Sequence, residues 1–325
     1  MADLPLISVV IPCYNQGRFL AQAIASVGDS SYPRVEIIVV DDGSSDGTPE
    51  VAKAFPEVRY HAQPNGGLAV ARNRGFRESR GDLLVFLDAD DRLAPNALDI
   101  GANALAARPE CEFVSGRCVM MSGDGVLLPT PPQARIVHDH YRELLRHNYI
   151  WMPAMVMIRR GAIERAGGFN PHVNAAADYE LYLKIARANP VHDHGQTVAY
   201  YRRHDKSMSG NASRMLRETL KVLENERLLL EGDEASIRAY EEGRRTWQDF
   251  YGTHLVNEIR AHVGGREWSA ALRKAAILGV YHPRGLAHHA GRKIALTLRA
   301  FQTDHRFPRW RRALATTDGT DMTGK

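Results

Sequence analysis

The 325-residue chain reads as an α/β protein: a mostly parallel sheet flanked by helices, followed by a basic, mostly helical C-terminal region. Three observations predict this. Strand and helix patterns alternate from residue 7 to about residue 87, polar residues cluster directly after the strands, and strand signals stop near residue 210. A hydrophobic content of 44% with 25% charged residues is globular, which excludes a collagen, a coiled coil or a wholly disordered chain. At roughly 100–200 residues per domain the length suits two domains. The expected division is 1–210 and 211–325, with the last residues disordered.

Ile7-Ser8-Val9-Val10-Ile11-Pro12 is short, β-branched and ended by proline, as a buried strand is. Asn15 can cap a helix whose apolar face is Phe19, Leu20, Ala23, Ile24 and Val27. A second strand, Val35 to Val40, stops at Asp41-Asp42-Gly43-Ser44-Ser45-Asp46-Gly47. Thr48 to Phe55 predicts a helix, Val58 to His61 a brief strand, Leu68 to Ser79 a helix, and Leu83 to Leu87 another strand. Residues 122–134, rich in Gly and Pro, read as a loop, and 150–206 as mixed structure with a helix from Asp178 to Ala188. Beyond that, 212–231, 234–262, 267–279 and 286–301 have helical spacing.

Charge divides the chain. Between Arg260 and Arg312 stand 12 Lys or Arg against only Glu267 and Asp304, so the front of the molecule is net acidic although the whole carries +4. Cys13, Cys111 and Cys118 cannot make a disulfide framework or a zinc knuckle and are expected as reduced, buried thiols. No apolar run reaches the ~18 residues of a membrane span. The first residues lack signal-peptide features, so the expected location is the cytoplasm.

In parallel sheets, ligands bind beyond the carboxyl ends of the strands. Asn15, Asp41, Asp42, Asp88, Asp90 and Asp91 all fall there. Asp88-Ala89-Asp90-Asp91 offers hard oxygen ligands for a divalent cation, though Asp91 could instead cap the turn after it. Asp42 to Gly47 imitates an EF-hand opening, but the twelfth position is Lys53 and a strand precedes it, so calcium is excluded. With no G-x-G-x-x-G after the first strand and no Walker A sequence, dinucleotide and P-loop readings lose their support.

Read in order across residues 6–208, these segments resemble family 2 glycosyltransferases, the inverting nucleotide-sugar enzymes of GT-A fold. The resemblance rests on Ser8 to Asn15, Glu36 to Thr48, Asn65-Gly66-Gly67-Leu68-Ala69-Val70-Ala71-Arg72-Asn73 and Gly81 to Asp91. It continues through Gly167-Gly168-Phe169-Asn170, Ala177-Asp178-Tyr179-Glu180-Leu181-Tyr182-Leu183 and Tyr201-Arg202-Arg203-His204 with Ser207 and Ser209. It implies a nucleotide pocket of Pro12, Tyr14, Asp41, Asp42 and Arg72, with Asp88 and Asp90 as the two ends of the D-x-D motif. Asp88 would bind the donor, and Asp90 with His204 would hold Mg²⁺ or Mn²⁺ at the diphosphate. Asp178 would be the general base, with Glu180 the next candidate. Two positions depart from the pattern: Ala177 replaces a Glu and Asn170 an Asp.

The implied partners are a nucleotide-diphosphate sugar donor and a saccharide or lipid-linked acceptor, in surface polysaccharide or glycolipid assembly. Nucleic acid is not expected, because no recognition motif accompanies the basic region. That region, with its interleaved aromatics, can instead rest on the inner face of an anionic membrane. The competing functions are a haloacid-dehalogenase-type phosphatase, a nucleotidyltransferase and a non-catalytic nucleotide-sugar binder. The first wants its D-x-D near the first strand, and the second wants a basic Gly-rich loop there; neither is present.

Overall fold

The computed structural model describes residues 4–204 and 207–283. Eight strands make one mixed sheet in the order β3-β2-β1-β4-β7-β6-β8-β5. They are β1 (Ile7–Cys13), β2 (Val35–Asp41), β3 (Val58–Ala62), β4 (Leu83–Phe86), β5 (Arg92–Leu93), β6 (Phe113–Ser122), β7 (Val156–Arg159) and β8 (His192–Arg203). All seven residues of β1 are buried because it lies between β2 and β4, parallel to both. Burying each of Val9, Val10 and Ile11 contributes about 1.5–3 kcal/mol.

The expected parallel sheet holds for β1 to β4, and β7 then runs antiparallel to both β4 and β6. Two reversals restore direction, and β8 pairs parallel with β6. The carboxyl ends of β1, β2, β4, β6 and β8 therefore share one rim. The chain runs outward from β1 to β2 and β3 and then returns to place β4 on the other side of β1, which makes a switch point at that rim, where a parallel sheet binds ligands.

Helices α1 (Gly17–Gly28), α2 (Thr48–Lys53), α3 (Leu68–Glu78) and α4 (Ala97–Ala106) flank the sheet. Gly75 lets α3 come close to β1, since a Cβ there would sit 2.2 Å from Cγ1 of Val10. Further along come α5 (His140–Arg146), α6 (Arg160–Ala166), α7 (Ala177–Ala188), α8 (Ala212–Arg227), α9 (Glu234–Gly264) and α10 (Trp268–Tyr281). The helix expected over 286–301 and the disordered last residues lie outside the described part. Among the described residues no helix is long and apolar enough to cross a membrane. All three cysteines are free and buried.

Contacts divide the chain into two compact units, Met1–His254 and Leu255–Lys325. The first extends past residue 210 because α8 belongs with the sheet unit. Its Leu216, Leu220 and Leu223 are buried, and its Glu226 accepts from Arg187 of α7 at 2.8 Å and from Tyr141 of α5 at 2.8 Å. The loop at 122–134 is also tied to the sheet. It doubles back on β6, where Met120 donates its amide to Thr130 and Gln133 exchanges hydrogen bonds with Cys118.

Glu36 fastens the first three strands at their amino ends. It accepts from Ser8 Oγ at 2.6 Å, from the Arg80 amide at 2.5 Å and from Arg59 at 3.0 Å. Burial alone would raise this carboxyl, but those donors hold it below its ordinary value. Glu36→Gln is expected to cost about 1–3 kcal/mol at neutral pH. A depressed folded pKa gives stability that is present above the unfolded value of about 4.3 and lost as pH falls through the folded one. Urea titrations at pH 7 and pH 3 check this; an equal cost at both would contradict it.

Candidate active site

The rim begins where β1 and β2 end. Pro12 is buried in β1 opposite Val40, whereas Tyr14 is 51% exposed. Asn15 does not cap α1: Gln16 holds that position without a side-chain bond. With a left-handed φ of 53°, Asn15 turns toward the second loop, donating its amide to Ser44 Oγ (2.9 Å) and accepting from the Ser45 amide (2.8 Å). Asp46 serves α1 instead, accepting from the Gly17 amide at 3.0 Å while its other oxygen accepts from Thr48. The two loops therefore brace each other.

Asp41 and Asp42 are 2% and 3% exposed. Asp41 accepts from the Ser44 amide (2.8 Å) and from Tyr60 OH (2.7 Å), which burial and this carboxylate push above its ordinary pKa. Asp42 accepts from Gln63 Nε2 (2.7 Å) and from the amides of Gly66 (2.9 Å) and Gly67 (2.8 Å), directly before α3. Both carboxylates shape the corner with bonds that sequence reasoning did not foresee. Tyr60 and Gln63 carry no motif of their own.

Asp88, Arg72 and Asp178 come together from β4, α3 and α7. Arg72 is 2% exposed, donates to Asp88 at 2.8 Å and lies over the Phe169 ring at 5.5 Å. Burial would lower this guanidinium, but Asp88 and then Asp178 outweigh it and raise its pKa. Asp178 is itself raised by burial, against the opposing charge of Arg72. It stands in the first turn of α7, where the helix dipole favours a carboxylate. Tyr182, one turn on, is wholly buried beside Asp178, Arg72 and Asp88.

Asn73 ties α3 to the segment that leads into α7. Its amide donates to the Phe169 carbonyl at 2.7 Å, and its oxygen accepts from the Phe169 amide at 2.9 Å. Gly168 makes room, since at φ 75° a Cβ would stand 2.7 Å from that oxygen. Asn174 adds a second tie, accepting from the Ala69 amide at 2.7 Å. Asn170 donates to Glu180 at 3.1 Å, a bond that an Asp could not make, so the two departures from the expected pattern have local outcomes. Ala177 is buried and leaves Asp178 without a preceding carboxylate. Glu180 is also paired with Lys184 at 3.6 Å and, two residues from Asp178, faces another side of α7.

The last group forms because the chain reverses after β4. β5 pairs antiparallel with β8, Arg92 opposite Tyr200, which lays Asp90 and Asp91 beside the end of β8. Asp90 Oδ2 and His204 Nε2 are 2.8 Å apart. Burial and the nearby Asp88 raise the Asp90 carboxyl, with His204 opposing. Asp91 does not cap a turn; its Oδ1 accepts from the Arg202 amide at 2.7 Å, and burial together with Asp90 and Asp88 pushes it well above its ordinary value.

Arg202, 1% exposed, was not singled out from sequence. It donates to the Asp90 carbonyl (2.6 Å), the Gly123 carbonyl (2.8 Å) and Gln22 (2.8 Å), with Phe19 beneath it at 4.7 Å. Phe19 also packs on the His204 ring at 5.0 Å. Its signal in the sequence was an arginine inside an otherwise β-forming run, which a surface strand would show equally well.

A carboxylate oxygen and an imidazole nitrogen at one point suit a divalent cation that keeps open positions. Among the described residues no three His, Cys, Asp or Glu converge, so the chain offers a partial coordination shell. A cleft of about 420 Å³ lined by Leu4, Tyr32, Leu83, Leu105 and Arg159 lies at the opposite, amino end of β1 and β4 and holds none of these groups.

The sequence matches the model of Glycosyl transferase family 2 over residues 8–167. Among curated relatives, TuaG of Bacillus subtilis (strain 168), a glycosyltransferase named for teichuronic acid biosynthesis, is 29% identical over 226 residues, covering 66% of this chain and 86% of TuaG. Several other relatives are longer proteins, of which the chain spans about a third or less. Among solved structures, S. aureus TarS 1-349 in complex with UDP-GlcNAc superposes with a TM-score of 0.62 at 14% identity, covering 86% of this chain and 82% of that one. Mannosyltransferase PcManGT from Pyrobaculum calidifontis, in complex with GDP-Man and Mn²⁺, gives 0.57 at 21% identity over 90% and 88% of the two chains. The fold is that of the GT-A neighbours, with a helical C-terminal region. The phosphatase reading is left without support, since the D-x-D follows β4 rather than β1.

Arg202→Leu leaves two carbonyls and Gln22 unanswered at the rim and should cost about 3–5 kcal/mol. Denaturant midpoints measure it; a cost below about 1 kcal/mol would mean that water replaces the guanidinium.

Proposed function

The chain belongs to glycosyl transferase family 2, and from that premise we propose that it transfers a sugar, with inversion, from a nucleotide-diphosphate sugar to an acceptor hydroxyl. The observation that supports this most is the arrangement around Arg72. A buried cation there faces both Asp88, on the D-x-D strand end, and Asp178, at the start of α7. Two carboxylates thus meet one guanidinium at the carboxyl rim of the sheet, as a base and a donor-side group would.

In this reading the nucleoside lies in the corner of Pro12, Tyr14, Asp41 and Asp42, with exposed Tyr14 as its surface. Asp88 and Arg72 bind the donor near the diphosphate, and Asp90 with His204 holds Mg²⁺ or Mn²⁺. The cation, when bound, stabilises charge on the departing diphosphate. Asp178 takes the proton of the acceptor hydroxyl as oxygen attacks the anomeric carbon. Its raised pKa suits that role, because a base nearer neutrality drives proton transfer better. One attack without a covalent intermediate inverts the centre. The relative named for teichuronic acid biosynthesis supports a role in surface polysaccharide or glycolipid assembly. A saccharide or lipid-linked acceptor at the cytoplasmic face, with peripheral membrane contact by the basic C-terminal region, follows from that setting.

Asp178→Asn should lower turnover at least ~10²-fold while donor affinity stays near wild type. Steady-state rates and nucleotide titrations separate the two effects. Retained turnover with an unchanged pH profile would place the base elsewhere.

Donor binding should weaken at least ~10-fold when a chelator removes the cation, and in Asp90→Ala chelator should make no further difference. Isothermal titration of wild type and variant, with and without Mn²⁺, decides it. Four equal affinities would remove the metal from the mechanism.

A further inference from the structure

Helix α10 has two apolar sides. Ala271 and Leu278 are buried, and Lys274 pairs with Glu258 on α9, so one side already packs within its own unit. On the other, Trp268, Leu272 and Val280 are 60%, 70% and 73% exposed. With Ala276 they recur every four residues and form one continuous stripe. Exposed Arg273 borders it. A large aromatic and two aliphatics aligned on an exposed helix face mark an interaction surface rather than scattered surface apolarity.

We propose that this stripe lies on an anionic lipid surface, with α10 parallel to the membrane plane. The proposal gives the membrane contact named above a specific location and rests on that contact alone, not on the transfer chemistry. Charge selects the occupant. The region from Arg260 to Arg312 carries 12 basic residues against two acidic ones, which complements an anionic leaflet. A second copy seated on the stripe would bring two such basic regions together, and residues 284–312 of the same chain carry the same sign. Fourteen residues are too few to span a bilayer, which needs about 20. They suffice for an interfacial helix whose tryptophan sits at headgroup level.

The test is flotation of the full chain with vesicles of equal parts phosphatidylcholine and phosphatidylglycerol, against pure phosphatidylcholine, at low and high salt. Wild type should float with the mixed vesicles and be released by salt. Leu272→Glu and Val280→Glu should each lower the bound fraction at least ~10-fold, from the loss of one buried aliphatic. Nucleotide-sugar turnover in the same samples, with a water-soluble acceptor, should be unchanged. Loss of turnover in wild type would refute the proposed function and leave the flotation result to stand by itself. No flotation of wild type, or variants that float as wild type does, would overturn the lipid proposal. So would equal binding to the uncharged vesicles. A wild type that sediments as a dimer and becomes monomeric as Leu272→Glu would assign the stripe to a second copy.

Discussion

The rim depends on how three acidic residues within four positions are kept close together at the end of β4. Asp88, Asp90 and Asp91 repel one another, and burial compounds the cost, as the raised Asp90 and Asp91 carboxyls record. The returning strand β8 answers this. It brings the Arg202 amide to Asp91, its guanidinium to the Asp90 carbonyl and the His204 ring to the Asp90 carboxylate. Gln22 and Phe19 of α1 then tie that corner back to the first strand's helix.

The carboxylates of the rim divide by what they touch. Asp41, Asp42, Asp46 and Asp91 accept mainly from backbone amides, which cannot leave without unfolding a loop. Asp88 and Asp178 face the Arg72 guanidinium and Asp90 faces the His204 ring, side-chain groups that can move without unfolding a loop. The first group is taken up in holding the loops, and the second is left to face ionisable side chains at the rim. In neither group is there a bare buried charge, which the low dielectric of the interior would penalise heavily.

Docking of the segment before α7, residues 169–174, on α3 positions the start of α7. It runs through main-chain bonds made by Asn73 and Asn174 rather than through apolar contact alone. Such bonds are directional, so they fix register as well as proximity. TarS and PcManGT share this fold at 14% and 21% identity. The architecture therefore tolerates wide substitution.

Local patterns in the sequence determined the first four strands, their helices and the placement of Asp42, Asp88, Asp90 and Asp178 at strand or helix ends. Each follows from periodicity and from where a β-branched run meets Asp, Gly or Pro, information that lies within a few residues. Ordered motifs then carried the family. Tertiary structure alone decided the partners. Asp46, not Asn15, accepts from the first amide of α1, because the β1 and β2 ends are neighbours. The chain's reversal through β5 turns Asp91 from a cap into an anchor for β8. Arg202 and Asn73 read as ordinary polar residues until strands and helices distant in sequence close around them. Their importance comes from burial and from which backbone atoms they meet, and neither quantity exists in one dimension.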